Sequence, residues 1–195
     1  MPAQLSNNHK LDKIKTILDD LNADIFAFNE HRNNLRHKEN RRHGINHLFY
    51  GGEALVKGIW GFNKHETDDK FLNKKTLEGG TGLVAFGQLA SWMNSAGSGV
   101  DPSGLGRWTF MEFRSADGHS TIVLSGYVPC KNNRPNTGTT YQQHRRHLVN
   151  KLHCLDCPRE RLLADLKQEL SKWRDQGKNV IVCLDANEDI YKDII

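Results

Sequence analysis

The sequence predicts an α/β fold built in layers, and three observations predict it. An amphipathic stretch, KLDKIKTILDDL (10–21), leads into a short apolar run, IFAF (25–28), a helix followed by a strand. The same succession recurs later, where residues 158–175 lead into the apolar run 179–184. Between them, RWTFMEFR (107–114) and STIVLSGYVP (120–129) flank Ala116-Asp117-Gly118, a hairpin turn signal. Helices alternating with strands, with a hairpin among them, point to α/β layers rather than an all-parallel Rossmann sheet.

Each element has its own grounds. Leu11, Ile14, Ile17, Leu18 and Leu21 fall on one stripe of the first helix, with charges opposite. Ile25 to Phe28 read as a strand buried on both faces, because no polar residue interrupts them. HRNNLRHKENRRHG (31–44) is basic and has no apolar period, so it is a loop, and INHLFYGG (45–52) reads as a strand ending in a turn. Residues 51–78 are expected to be mostly loop, 79–90 a glycine turn, a strand and a turn, and 94–106 a Gly/Ser-rich loop. Pro129 ends the second hairpin strand, since it cannot donate to a ladder. Residues 140–152 are expected to be a polar helix. In 158–175, Pro158 suits the first turn, and Leu162, Leu163, Leu166, Leu170 and Trp173 make the stripe. Gly177 stands where a C-terminal cap belongs.

At 195 residues the chain has the length of one domain, with 37% hydrophobic and 26% charged residues. No internal repeat is present. No apolar run approaches the roughly eighteen residues of a membrane-spanning helix, and MPAQLSNNHK has no apolar signal region. An intracellular protein, nuclear or cytoplasmic, without a membrane partner is the expectation. The net charge of +4 suits a phosphate-bearing partner such as nucleic acid. Four cysteines without a secretory signal read as thiols or a metal site rather than a disulfide framework.

The chemistry-bearing residues stand at strand ends. IFAFNE ends at Glu30, TIVLSGY at Tyr127, and VIVCLDAN at Asp185 and Asn187. The carboxyl ends of strands in α/β proteins face a crevice where ligands bind. A carboxylate there is costly unless it meets a cation or a donor. Glu30 and Asp185 together would form a hard oxygen site suited to Mg²⁺ or Mn²⁺. Asn187, two residues beyond Asp185, shares its side of an extended backbone. Taken singly, these residues read as a helix cap, an Asx turn and a half-buried tyrosine; their order and placement carry the signal.

In that order and spacing, IFAFNE, GGTGLVAF, LSGYVP and LDAN resemble the endonuclease/exonuclease/phosphatase superfamily. That superfamily includes AP endonucleases, pancreatic-type deoxyribonucleases and retroelement endonuclease domains. The resemblance covers about residues 5–189, with Leu184 in place of the glycine of the G-D-x-N motif. It implies a partial four-layer α/β/β/α sandwich with mixed sheets, over 5–195, without a second domain. It also implies Mg²⁺- or Mn²⁺-assisted phosphodiester hydrolysis, with DNA as the partner and a retroelement-type endonuclease as the activity. Glu30 would hold the metal, Asp185 orient the water, Asn187 bind the phosphate, and Tyr127 hydrogen-bond a phosphate oxygen. Asn8 would take the place of an Asn near the metal, in the chain leading to the first helix. The family closes with strands carrying an Asp-His pair, and no such segment fits in Asp189 to Ile195. A catalytically incomplete form of the fold is therefore the alternative, and a lipid- or inositol-phosphate phosphatase a third.

Arg32, Arg36, Lys38, Arg41 and Arg42 follow Glu30 in sequence, and Arg145 and Arg146 lie in the polar helix. These arginines are the candidate contacts to nucleic-acid phosphates, or else solvated loop residues. Cys154 and Cys157 make a single Cys-x2-Cys beside His147 and His153, half of a zinc motif. GSGVDPSGLG lacks the strand before it and the GK[ST] ending of a phosphate-cradling loop.

Overall fold

The computed structural model describes residues 7–32, 34–36, 55–66, 74, 76–135 and 137–188, residues 7–11 by backbone alone. The chain is an α/β protein with two sheets. In chain order the elements are α1 (Asn7–Asp20), β1 (Ile25–Asn29), β2 (Val56–Gly61), β3 (Thr81–Phe86), α2 (Gly87–Trp92) and β4 (Met93–Val100), then β5 (Trp108–Arg114), β6 (Ser120–Tyr127), α3 (Thr140–Leu152), α4 (Pro158–Asp175) and β7 (Asn179–Asp185). One sheet has the order β1-β3-β2, all antiparallel. The other has the order β4-β5-β6-β7, antiparallel except for the parallel pair β6/β7.

Alternation along the strands distributes apolar side chains to opposite faces. Val123 of β6 joins Leu83 and Ala85 of β3 and Met111 and Phe113 of β5 in the core between the sheets. Ile122 and Leu124 point the other way and pack with Leu162, Leu166 and Trp173 of α4. On the far side of the three-stranded sheet, Val56 and Val84 pack with Phe26, Phe28, Trp60 and Leu18 of α1. The layers thus run α1, three-stranded sheet, four-stranded sheet, α4. Each fully buried apolar side chain contributes about 1.5–3 kcal/mol relative to exposure. Pro158 opens α4, and Gly177 closes it at φ +71°, with the Lys178 amide donating to Trp173 O at 3.1 Å. The β5–β6 hairpin turns at Gly118, φ +84°, as its sequence predicts.

Several expectations are corrected. The stretches expected as loops, 51–78 and 94–106, contain β2 and β4. VKGIWG and MNSAGSGV lack apolar alternation, and both are strands because β3 and β5 offer them ladders. In β4 the register shifts between Asn94 and Gly99, Ser98 Oγ accepts from the Glu112 amide, and a Cβ on Gly97 would overlap the Glu112 carboxylate. The turn expected after β3 is the short helix α2.

β1 is half-buried throughout, not buried on both faces, since it lies at a sheet edge. β7 is also an edge strand, with Ile181 54% and Val182 41% exposed. On the two helices, Ile17, Leu21 and Leu163 of the expected stripes are exposed. INHLFYGG (45–52) lies outside the described residues. No helix among the described residues is long and apolar enough to cross a membrane.

Candidate functional site

The parity that sends Val123 between the sheets sends Ser125 and Tyr127 there too. Ser125 is fully buried, and its hydroxyl lies 3.0 Å from Asn29 Oδ1 and 3.2 Å from Phe28 O, at the end of β1. Two residues on, the Tyr127 hydroxyl donates to Glu30 Oε1 at 2.5 Å. In the parallel ladder Tyr127 is the register partner of Asp185, so three strand ends meet here.

Glu30 reaches this place through an unusual backbone. Its φ is +53° and that of Arg32 is +55°, a left-handed conformation that costs a non-glycine residue about 1–3 kcal/mol. The surroundings hold it: the Glu30 amide donates to Gly80 O at 2.8 Å and the Arg32 amide to Gly79 O at 3.0 Å. Gly80 itself has φ +91°, and a Cβ there would strike the His31 ring. His31 is turned the other way, its Nε2 2.9 Å from Gly61 O beside Trp60, so it takes no part in the crevice.

Beyond Tyr127 the β6 and β7 ends are laced together. The Val128 amide donates to Asp185 O at 2.9 Å, and Asn187 Nδ2 donates to Val128 O at 2.8 Å. Cys130 Sγ lies 3.0 Å from Asn187 Oδ1, and the Asn187 amide donates to Asp185 Oδ1 at 3.2 Å. Asn187, at φ +48°, thus closes an Asx-type turn and keeps one amide hydrogen uncommitted. An open groove of about 250 Å³ runs past these ends, lined by Glu30, Glu78, Tyr127, Cys130, Lys131 and Tyr141 among others.

Three carboxylates, Glu30, Glu78 and Asp185, stand in this region, with Glu78 paired to Arg32 and Lys131 on the groove wall. Burial pushes the Tyr127 hydroxyl well above its ordinary range, and the Glu30 hydrogen bond and the charges of Glu30, Cys130 and Asp185 push it further. Tyr127 is therefore a neutral donor over the whole working pH range.

The other expected residues are placed as follows. Asn8 is the second residue of α1, inside a helix rather than in the chain leading to it. Arg32 is exposed and pairs with Glu78, its Nε donating at 2.7 Å, on the wall of an adjoining groove. Arg36, expected to face phosphate, donates to Glu66 O at 2.9 Å and Asn63 O at 3.3 Å. Arg146, likewise, donates to the buried Glu66 at 2.5 Å and to Thr137 O at 2.9 Å. These two side chains are spent on joining α3 and the 34–36 segment to the 63–66 loop. Arg145 is exposed on α3. Lys38, Arg41 and Arg42 lie outside the described residues. Cys154 and Cys157 are free thiols; Cys157 stands at the N-cap position of α4 without a side-chain cap hydrogen bond, its Sγ 3.8 Å from the Tyr141 hydroxyl.

Two charged groove residues escaped the sequence reading. Glu78 directly precedes the Gly79-Gly80 turn, and Lys131 follows Cys130; neither has a periodic or motif signal. Among the described residues no group of three or more His, Cys, Asp or Glu side chains is placed to hold a metal ion. Mg²⁺ is often bound through one or two carboxylates with water completing its shell, and the exposed Glu30 carboxylate is a donor of that kind. No family model, curated protein or solved structure matches the chain.

Proposed function

We propose that this chain is a metal-dependent phosphodiester hydrolase domain, acting on DNA as a retroelement-type endonuclease. The observation that carries the proposal is the joining of Glu30, Tyr127 and Asp185 at three strand ends, through the 2.5 Å hydrogen bond and the Tyr127–Asp185 register. An anionic phosphodiester is repelled by Glu30 and Asp185 unless a cation intervenes, which supports a divalent ion at Glu30. Bound Mg²⁺ or Mn²⁺ would supply Lewis-acid polarisation of a phosphoryl oxygen.

The side chains have distinct tasks in this reading. Asp185, exposed and with one oxygen fixed by the Asn187 amide, orients a water and accepts its proton. Asn187 offers its remaining amide hydrogen to a phosphate oxygen. Tyr127 holds one proton, so donating it to phosphate requires release of Glu30 Oε1. Lys131 and Arg145, both exposed, supply positive charge near the groove for the polynucleotide backbone.

A second reading, a catalytically incomplete form of this fold, is favoured by the lack of a three-residue metal cluster among the described residues. Nicking of supercoiled plasmid separates the two, with Mg²⁺ or EDTA, for the wild type, Glu30→Gln and Asp185→Asn. The hydrolase reading expects nicking in Mg²⁺ alone, lost in both variants. A folded wild-type chain that leaves the plasmid intact would support the second reading.

A further inference from the structure

Arg159 lies in the first turn of α4, where a cation opposes the helix dipole. A residue that breaks a local rule calls for a return elsewhere in the structure. Here the return is geometric. Arg159 Nη1 donates to Pro129 O at 2.7 Å, and Nη2 donates to Ala186 O at 3.2 Å and pairs with Glu188. Pro129 is two residues past Tyr127, and Ala186 is the residue after Asp185. One planar guanidinium, its side chain only 12% exposed, therefore spans the ends of β6 and β7 from outside the groove.

We propose that Arg159 is a positioning residue: a strut that holds Tyr127 and the Asp185–Asn187 turn in their relative places for the hydrolysis proposed above. The catalytic part of this inference rests on that reading. Arg159 does not line the groove, so it acts through the strand ends. The fork is essential. Lysine has one donor centre and cannot serve two carbonyls and a carboxylate in one plane.

The strut has a signature that needs no activity. Cys130 Sγ is held 3.0 Å from Asn187 Oδ1, across the seam that Arg159 bridges. Cys130 is exposed to solvent, and its thiol is restrained by this hydrogen bond; loosening the seam releases the thiol from Asn187 and speeds its alkylation. The test compares the wild type, Arg159→Met, Arg159→Lys and Ile122→Val, the last a core change behind α4 that destabilises without touching the strand ends. Iodoacetamide labelling of Cys130, read by peptide mass spectrometry, is measured alongside plasmid nicking.

Arg159→Met should label Cys130 at least threefold faster than the wild type. It should lower kcat about tenfold while KM stays within twofold. Arg159→Lys should recover part of each effect, and Ile122→Val neither. Should Arg159→Met fail to fold, Arg159→Lys against the wild type decides. Unchanged Cys130 labelling in the arginine variants, or equal acceleration in Ile122→Val, overturns the strut. Fast labelling with unaltered kcat overturns its catalytic consequence. A wild-type chain without nicking activity defeats the hydrolase reading separately, because labelling still reports on the strut.

Discussion

Replacing Tyr127 with Phe removes one hydroxyl from the end of β6 and leaves the ring in place. The lost contact is the 2.5 Å hydrogen bond to Glu30, which joins the two sheets at the site. A hydrogen bond to a charged partner contributes about 1.5–3 kcal/mol. Glu30 is exposed and regains water when the hydroxyl leaves, so the net loss falls to about 1 kcal/mol. A double-mutant cycle with Glu30→Ala isolates the pair. Urea unfolding of the four proteins at pH 7 should give a coupling energy of about 1 kcal/mol, within the usual range for contacting residues. Additivity to within about 0.3 kcal/mol would show that Tyr127 and Glu30 do not touch. The strand ends would then not converge, and the geometric basis of the proposed site would be gone.

Three further outcomes are expected. Leu162, fully buried among Trp108, Leu166 and Trp173, should cost about 3 kcal/mol when changed to Ala, read as a fall in the urea midpoint; a loss under about 1 kcal/mol would contradict the packing of α4 on the sheet. Burial depresses the His144 imidazole from 6.5 to about 3, with Arg107 adding to the effect. The unfolded chain takes up that proton first, so stability is full above pH 6.5 and falls by about 1.4 kcal/mol per pH unit below it. Unfolding free energies between pH 6.5 and about 5 should show that slope reduced in His144→Gln, and an identical slope would refute the assignment. Finally, the Tyr127 hydroxyl resists ionisation, so its contribution to stability is present below the ordinary tyrosine pKa of about 10 and lost as pH rises beyond it. In an absorbance titration at 295 nm, Tyr127→Phe should remove none of the amplitude that the wild type gains between about pH 9 and 11; loss of a full tyrosine step there would refute it.

The strands that the sequence disguised share a cause. β4, MNSAGSGV, has almost no apolar pattern, and only the ladder of β5 and the close approach of Gly97 to Glu112 make it a strand. β2 hides its strand behind two glycines and a lysine, and pairs along β3. The exposed positions Ile181, Val182 and Leu163 erred in the opposite direction: apolar composition suggested burial, whereas the edge position of β7 and the turn of α4 leave them uncovered. That Glu30, Tyr127, Asp185 and Asn187 stand at strand ends was legible in the sequence; the hydrogen bond from Tyr127 to Glu30 and the Tyr127–Asp185 register were not. Arg36 and Arg146 donate to backbone carbonyls, which charge alone does not foretell. Arg159 and Glu78 carried no signal, since their roles depend on loops distant in sequence.

The sequence by itself determined what depends on local pattern: the helices at 10–21, 140–152 and 158–175, the β5–β6 hairpin, the cap at Gly177, and the polar residues that close three strands. Helical period, turn chemistry and strand length are set within a few residues and need no partner. Tertiary structure decided what depends on pairing across the chain. It assigned the strands to two sheets, placed β1 and β7 at edges, and made β2 and β4 strands at all. It also set the parity that points Tyr127 at Glu30 and the register that sets Asp185 beside Tyr127. A ladder's register is a relation between distant residues, and no local stretch encodes it alone.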